Sequence, residues 1–259
     1  MDYAAFCVAC GQKPDDLESF EKFACVGGIP KYWEFVEARQ DVVALVESLY
    51  FDFAPYMEQE PRRILRDEGV IGLNPVAVLE AVGRGAERPS EIASRLGTAQ
   101  TNLSRLLQQL LDASILTREL PFGESVRSTN KTLYRIQDPA TRFWFRVFSP
   151  HQSRWRTYGA AEKRKLIHDH AATVFEDFCR ARHPGAQRYW ESHVELDLVA
   201  PDPDDPKRLL VAEVKWRRLL VAERQNVLRQ LQGKWSHCAL RARHPNVRFD
   251  VLDARVLNV

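Results

Sequence analysis

Two segments close to the C-terminal end of the 259-residue chain alternate charged and apolar residues. The first carries Glu195 and Asp197, and the second carries Glu213 and Lys215. Because successive side chains of a β-strand point to opposite faces, each pair lies on one face of its strand. Residues 201–206, between the segments, are three prolines and three aspartates, which favour a loop and oppose strand pairing. Residues 194–200 and 209–216 are therefore predicted to form a β-hairpin closed by a loop at 201–206.

The charged face of this hairpin has the composition of a site for a hard cation. Adjacent strands would place Asp197, Glu213 and Lys215 around one point. Carboxylate oxygens suit Mg²⁺ or Mn²⁺, and such an ion polarises a phosphodiester and lowers the pKa of an attacking water. In this interpretation Asp197 and Glu213 are metal ligands, and Lys215 orients the water or stabilises charge. The alternative is an ordinary hairpin whose charged face is solvated.

The middle of the chain predicts three helices followed by two short strands. The helices cover residues 76–82, 90–96 and about 100–112, and the strands cover residues 115–119 and 131–136. Ser90 is placed to cap the second helix and Gly97 to end it. Two helices joined by a tight glycine turn, followed by two strands with a charged turn between them, indicate a winged helix-turn-helix.

A winged helix places its second paired helix in the major groove of DNA and its wing against the backbone. The polar side chains available on that helix are Gln100, Thr101, Asn102, Ser104, Arg105 and Gln108. Arg127 and Lys131 are the cations of the wing. Asn and Gln side chains can read adenine edges, and Arg can read guanine. Because the helix has one strong cation, a protein-binding module remains the alternative.

The charge of the chain is unevenly distributed. Residues 1–70 carry a net charge of −7, and the remainder carries +9. A basic C-terminal part favours a phosphate backbone, while the acidic N-terminal part is repelled by it. The alternative is that the two parts attract each other.

The N-terminal 70 residues have apolar residues at helical spacing, which predicts several short amphipathic helices. Gly27-Gly28-Ile29-Pro30 predicts a turn between two of them, since paired glycines and a proline do not sit inside one helix. Cys7 and Cys10 have no second Cys or His pair nearby, so a structural zinc site has little support. Further along, His168 and His170 are predicted to be solvated.

No apolar run reaches the roughly 20 residues that a membrane-spanning helix needs. The N-terminus also lacks the basic and apolar pattern of a signal peptide. We therefore expect a cytoplasmic protein without a membrane partner.

The order of the motifs resembles the C-terminal portion of the archaeal-type ATPase family. The motifs that carry the resemblance are Gly27-Gly28-Ile29-Pro30-Lys31-Tyr32, the winged helix, Asp138-Pro139 with Phe143-Trp144, Phe175-Glu176, Glu195-Leu196-Asp197 and Glu213-Val214-Lys215-Trp216. The resemblance implies an α+β chain with a helical lid-like region at 1–72, a winged helix at 73–148 and a PD-(D/E)XK nuclease-like αβββαβ domain at 149–259. It also implies that Glu176 completes the metal site. A solvent-facing Glu176 is the alternative.

The chain departs from that family in lacking the Gly-x-x-x-x-Gly-Lys-Ser/Thr loop that cradles phosphates. We therefore expect neither binding nor hydrolysis of ATP by this chain. The leading hypothesis is a DNA-binding protein with an Mg²⁺- or Mn²⁺-dependent nuclease-like domain. Its catalytic residues would be Asp197, Glu213, Lys215 and Glu176. The alternatives are a non-catalytic winged-helix regulator and an interaction subunit that binds a separate P-loop ATPase or self-associates.

Overall fold

The computed structural model describes residues 2–52, 55–70, 74–127, 129 and 131–258. Its α+β architecture divides into two units. The first unit contains residues 1–118 and 133–171, and the second contains residues 119–132 and 172–259. Within the described ranges, no helix is both long and apolar enough to cross a bilayer.

The chain begins with short helices, several of which start after a capping aspartate. They are α1 (Tyr3–Cys10), α2 (Leu17–Val26), α3 (Pro30–Trp33), α4 (Val42–Val46), which continues as a π-helical turn over Glu47–Phe51, and α5 (Glu60–Asp67). Asp2 accepts a hydrogen bond from the N–H of Ala5 at 3.0 Å, and Asp16 accepts one from Ser19 at 3.1 Å. These carboxylates satisfy N–H groups that the first turn leaves without helical partners.

Gly27 separates α2 from α3, which confirms the predicted break in the helical pattern. Its φ is +66° and its ψ is −161°, a backbone conformation that only glycine adopts readily. The Trp33 indole N–H donates to the Gly27 carbonyl at 2.9 Å. The turn is therefore held by a side chain from the helix that follows it.

The middle of the first unit has the predicted three helices and two strands. They are α6 (Pro75–Gly83), α7 (Pro89–Leu96), α8 (Gln100–Asp112), β1 (Leu116–Glu119) and β2 (Leu133–Ile136). Gly97 ends α7 with a φ of +61°, as predicted. The prediction that Ser90 caps α7 is wrong, because Pro89 already occupies the first helical turn and Ser90 lies inside the helix.

The rest of the first unit is helical. It consists of α9 (Pro139–Phe143), a π-helical turn over Trp144–Phe148, α10 (Ser149–His151), a 3₁₀ turn over Trp155–Thr157 and the start of α11 (Ala160–Ala181). The prediction of a solvated His170 is wrong, because this side chain is fully buried and its Nε2 lies 2.9 Å from the Ala24 carbonyl oxygen. His170 follows the buried Ile167 by three residues, so helical spacing places both on one face of α11. His168, by contrast, is exposed.

The second unit contains the end of α11 and a four-stranded mixed sheet. The further elements are β3 (Gln187–Glu191), β4 (Val194–Asp202), β5 (Asp205–Lys215), α12 (Val221–Ser236), α13 (Leu240–Arg243), β6 (Val247–Asp253) and a closing 3₁₀ turn over Ala254–Asn258. The strand order is β3-β4-β5-β6, antiparallel except for the parallel pair β5 and β6. On one side of the sheet, Leu231 and Trp235 of α12 share a core with Val199 and Val211 of the central strands.

The hairpin of β4 and β5 is longer than predicted. Residues 201–206 were expected to form a loop, yet the strands continue until Asp202 pairs with Asp205. Asp202 is 2% exposed, and its carboxylate accepts from Arg208 at 2.6 Å and lies 3.1 Å from the Arg248 guanidinium. Two arginines around a buried carboxylate hold the hairpin end together, so the turn shrinks to two residues.

Residues 119–132 lie in the second unit, although the sequence assigned their charged turn to the winged helix. The N–H of Phe122 donates to the Arg188 carbonyl at 2.8 Å, and the Phe122 ring packs against the core beside the sheet. Arg188 also pairs with Glu119 at 3.1 Å. The connection between β1 and β2 is therefore anchored to β3 of its own unit.

Candidate phosphodiester site

Strands β4 and β5 bring two carboxylates together at one end of the hairpin. Leu198 pairs with Ala212, so Asp197 and Glu213 occupy the next position on each strand. The N–H of Val214 donates to Asp197 Oδ2 at 2.8 Å. The Asp197 carboxylate is thereby held against the neighbouring strand beside Glu213.

Two lysines surround the Glu213 carboxylate. Lys215 Nζ donates to Oε1 at 2.9 Å, and Lys234 Nζ lies 2.8 Å from Oε2 and 3.1 Å from Oε1. Glu213 itself is 8% exposed, whereas both ammonium groups belong to side chains that are more than a third exposed. Two carboxylates and two ammonium groups therefore converge at this end of β5.

Lys234 was missed by the sequence interpretation. It lies on α12, three residues after the fully buried Leu231 and next to Trp235. Residues three apart on a helix share a face, so the spacing to Leu231 places Lys234 near the face that packs on the sheet. That spacing was the available signal, but it does not say which strand residue the lysine meets.

Burial and neighbouring charges shift the pKa values of the two carboxylates in opposite directions. Burial raises the pKa of Asp197, and the negative charge of Glu213 raises it further. Burial would also raise the pKa of Glu213, but hydrogen bonds from Lys234 and Lys215 outweigh it and hold that pKa below its ordinary value. Glu213 is thus the ionised member of the pair, and Asp197 is the carboxyl that keeps a proton to higher pH.

The remaining acidic candidates have other partners. Glu176 lies on α11 and is 3.8 Å from Arg180, whose guanidinium donates to the main-chain carbonyl of Asp197 at 3.0 Å. Glu195 is exposed and pairs with Arg188. Across the described ranges, no group of three or more His, Cys, Asp or Glu side chains is placed to hold one metal ion. The structure therefore brings together Asp197, Glu213 and Lys215, and it does not join Glu176 to them in a three-carboxylate cage.

This donor set suits a magnesium-like ion in number and type. Mg²⁺ is commonly held by one or two carboxylates, with waters and substrate phosphate completing its shell. Asp197 and Glu213 supply two such carboxylates from adjacent strands. The ammonium groups of Lys215 and Lys234 occupy the oxygens of Glu213, so at least one of them must turn away when a cation binds.

The predicted DNA-contacting side chains lie on exposed surface. All six on α8 are exposed: Gln100, Thr101, Asn102, Ser104, Arg105 and Gln108. Asn102 donates to Thr98 Oγ1 at 3.3 Å, and Gln108 donates to Asp112 at 2.7 Å. Leu103 and Leu107 are buried on the opposite side of the helix.

The two cations predicted on the wing are also exposed. Arg127 and Lys131 lie in the segment that belongs to the second unit.

The five cysteines are all free and buried. Cys7 and Cys10 lie on α1, where Cys10 Sγ is 3.8 Å from the Trp33 carbonyl oxygen. Burial raises the pKa of both thiols. This pair is packed inside the first unit.

Comparison with known proteins finds a similarity to one domain family over part of the chain. Residues 144–227 match DUF234, described as archaea bacterial proteins of unknown function. The matched range includes Asp197, Glu213 and Lys215, and Lys234 lies beyond it.

A curated archaeal protein also matches part of the chain. It is an uncharacterized protein of Methanocaldococcus jannaschii, 28% identical over 172 residues, or 61% of this chain. The aligned region is 39% of that relative's length. No solved structure gives a significant match.

Proposed function

We propose that this chain binds DNA and that its second unit is a phosphodiester hydrolase that depends on Mg²⁺ or Mn²⁺. The observation that carries the proposal is the convergence of Asp197, Glu213 and Lys215 at one end of the β4–β5 hairpin. Two carboxylates with an adjacent ammonium are suited to holding a divalent ion and a phosphate together.

The roles follow from the contacts. Asp197 and Glu213 would hold the ion, and the N–H of Val214 fixes the orientation of Asp197. Bound there, the ion would polarise the phosphodiester and lower the pKa of a water. Lys215, whose Nζ donates to Glu213, would donate instead to the attacking water or to the leaving oxygen. Glu176, with Arg180 beside it, positions the Asp197 strand through the Arg180 contact to the Asp197 carbonyl.

The order of elements supports a PD-(D/E)XK nuclease-like fold for the second unit. A helix, three antiparallel strands, helical segments and a final strand parallel to β5 follow one another. The acidic residue of β4 and the Glu-x-Lys of β5 occupy neighbouring strands, as that fold requires. The resemblance to the C-terminal portion of archaeal-type ATPases supports the same proposal.

Helices α6 to α8 with strands β1 and β2 support a winged helix that binds DNA. The α8 surface presents Arg105 and several amides and hydroxyls, which are groups that read base edges in the major groove. In the second unit, Arg127 and Lys131 are exposed cations of the kind that contact phosphates. Arg105→Ala is expected to weaken duplex binding about tenfold or more, because a good bidentate base contact is worth ~1–3 kcal/mol.

A metal titration with DNA present tests the hydrolase proposal. The purified chain is given Mg²⁺ or Mn²⁺ and labelled single-stranded and duplex DNA, and both binding and cutting are followed. Glu213→Gln and Lys215→Ala should abolish cutting while DNA binding persists. Glu195→Gln is the matched control, since Glu195 is an exposed carboxylate of the same hairpin that pairs with Arg188. If Glu213→Gln cuts DNA as fast as the unmodified chain, the hydrolase assignment is wrong.

A non-catalytic regulator is the second candidate. The observation in its favour is that both Glu213 oxygens already accept hydrogen bonds from lysines, while Asp197 holds its proton more tightly than an ordinary carboxyl. This candidate predicts DNA binding that does not change with Mg²⁺ and no cutting under any condition. The same titration separates it from the hydrolase.

A subunit that works with a separate P-loop ATPase is the third candidate. It is supported by the acidic helical N-terminal part and by the absence of a phosphate-cradling motif in this sequence. Copurification of a P-loop protein with the tagged chain supports it. A mass measurement tests self-association, and a chain that stays monomeric and alone counts against this candidate.

A further inference from the structure

A cavity of about 720 Å³ opens beside the candidate phosphodiester site in the second unit. It lies between the turn that joins β3 to β4 and the C-terminal end of α12, and His193, Val194, His237 and Cys238 are among its lining residues. This volume lies within the roughly 300–1,000 Å³ of pockets that bind small molecules. Imidazole rings such as those of His193 and His237 can stack on nucleobases.

Lys234 belongs to both the cavity and the site. It lines the cavity, and its Nζ is 2.8 Å from Glu213 Oε2. Among the residues that line this cavity, Glu191 contributes the carboxylate, but its two oxygens already accept from the Ala239 N–H at 2.8 Å and the Tyr189 hydroxyl at 2.9 Å. The Lys234 ammonium is therefore the charged donor that a ligand in the cavity would meet.

The Glu213 carboxylate cannot contact the Lys234 ammonium and hold a divalent ion at the same time. Lys234 contacts both Glu213 oxygens, so a divalent ion and the Lys234 ammonium compete for the same carboxylate. A phosphate in the cavity offers this ammonium another anionic partner. Lysine is well suited to such an exchange, because its ammonium is a point charge on a flexible stem.

We propose that the cavity binds one nucleotide with its phosphate on Lys234, and that this contact withdraws Lys234 from Glu213 and opens Glu213 to the metal ion. Nucleotide and metal then bind cooperatively, and the free protein holds its metal weakly. The inference rests on the proposed function and adds to it the order of events and the residue that couples them. Coupling of this kind is reciprocal, so the metal must also tighten nucleotide binding.

Mn²⁺ binding followed by electron paramagnetic resonance tests the coupling without any cleavage. Thymidine 5′-monophosphate is the probe, and thymidine, which lacks the phosphate, is its control. We expect the monophosphate to tighten Mn²⁺ binding to the unmodified chain at least about tenfold, since a unit charge a few ångströms away changes binding by that order. Lys234→Met should bind Mn²⁺ tightly without nucleotide, and the monophosphate should add little to it.

Arg229→Met is the matched control, because it removes a positive charge from the exposed side of the same helix. This variant should behave like the unmodified chain. Lys234→Arg keeps the charge and reports on folding of the site, and it should retain weak metal binding in the absence of nucleotide. Direct bonding of Mn²⁺ to the phosphate would tighten binding equally in Lys234→Met, and that result overturns the inference.

Two further outcomes separate the inference from the proposed function. Tight Mn²⁺ binding to the unmodified chain without nucleotide overturns the coupling while the metal-dependent hydrolase stands. An absence of Mn²⁺ binding in every variant, with or without nucleotide, overturns both. A short oligodeoxythymidylate tests the source of the phosphate: a gain with the oligonucleotide supports the cavity as a subsite for the strand, and a gain with the monophosphate alone supports it as a subsite for free nucleotides.

Discussion

Gly27→Ala should be among the most destabilising single-methyl additions in the first unit. Gly27 has a φ of +66° and a ψ of −161°, and a Cβ at this position would lie 2.5 Å from Asp138 Oδ1 and 3.0 Å from the Ala140 N. Asp138 cannot move away freely, because it caps α9 by accepting the Thr141 N–H at 2.7 Å. The added methyl therefore has two effects: it strains the backbone at residue 27, and it displaces the Asp138 cap of α9.

The expected cost can be estimated from these two effects. A residue with a Cβ in this glycine-only region costs ~1–3 kcal/mol. Overpacking a filled site costs a further ~1–3 kcal/mol. Asp138 adds to the penalty, since burial raises its pKa and a displaced carboxylate would lose the Gly28 N–H that helps to keep it ionised. We expect Gly27→Ala to lower the free energy of unfolding by about 3–5 kcal/mol.

Gly97→Ala is the matched control. Gly97 has a φ of +61° in the left-handed region, and nothing lies within 4 Å of the position of its Cβ. Gly97→Ala should therefore cost only the strain of a left-handed backbone, about 1 kcal/mol of folding free energy. Urea denaturation of both variants, followed by circular dichroism, measures the difference. Equal destabilisation of the two variants would show that the contact between the Gly27 turn and Asp138 is not tight, and would refute the reasoning.

Three further predictions concern buried polar groups. Asp197→Asn should stabilise the fold relative to the unmodified chain, and increasingly so as pH rises above the ordinary range of a carboxyl. The reason is that the raised pKa of Asp197 makes the folded state bind its proton more tightly than the unfolded state does. Urea midpoints of both chains at pH 4 and pH 8 check this, and a difference that does not change with pH contradicts it. Asp202→Ala should lower the thermal midpoint more than Asp204→Ala, since Asp202 is buried between Arg208 and Arg248 and the Asp204 side chain is 69% exposed. The five buried cysteines should react with a thiol reagent only after denaturation, and rapid labelling of the native chain would show that the segments holding them open readily.

Local features of the fold could be predicted because short-range physics decides them. Helix α8 follows from the spacing of its leucines, and the end of α7 follows from Gly97, whose positive φ favours glycine. The alternation of residues along β4 and β5 predicts Asp197 and Glu213 on one face of the hairpin, and the register of the strands sets them opposite each other. The inferences for α7 and α8 use residues within a few positions of one another, whereas Asp197 and Glu213 meet through the β4–β5 hairpin.

The predictions that are wrong concern side chains whose partners lie far away in the sequence. His170 was expected in solvent, but the Ala24 carbonyl lies opposite its ring, and no local pattern shows a partner so far away in the chain. The proline-rich turn was expected to be a loop, but Arg208 and Arg248 close the hairpin around Asp202. Polar side chains are buried only when another part of the chain supplies a partner, so their burial depends on packing.

The sequence by itself determined the helical and strand pattern, the glycine breaks and the three charged residues Asp197, Glu213 and Lys215 as a candidate site. Only the tertiary structure brought Lys234 of α12 to Glu213 and anchored the segment 119–132 to β3. Periodicity tells which face a side chain occupies, because it depends on backbone geometry within one element. The partner across that face depends on how elements pack, and for Glu213 that partner is a second lysine nineteen residues after the first.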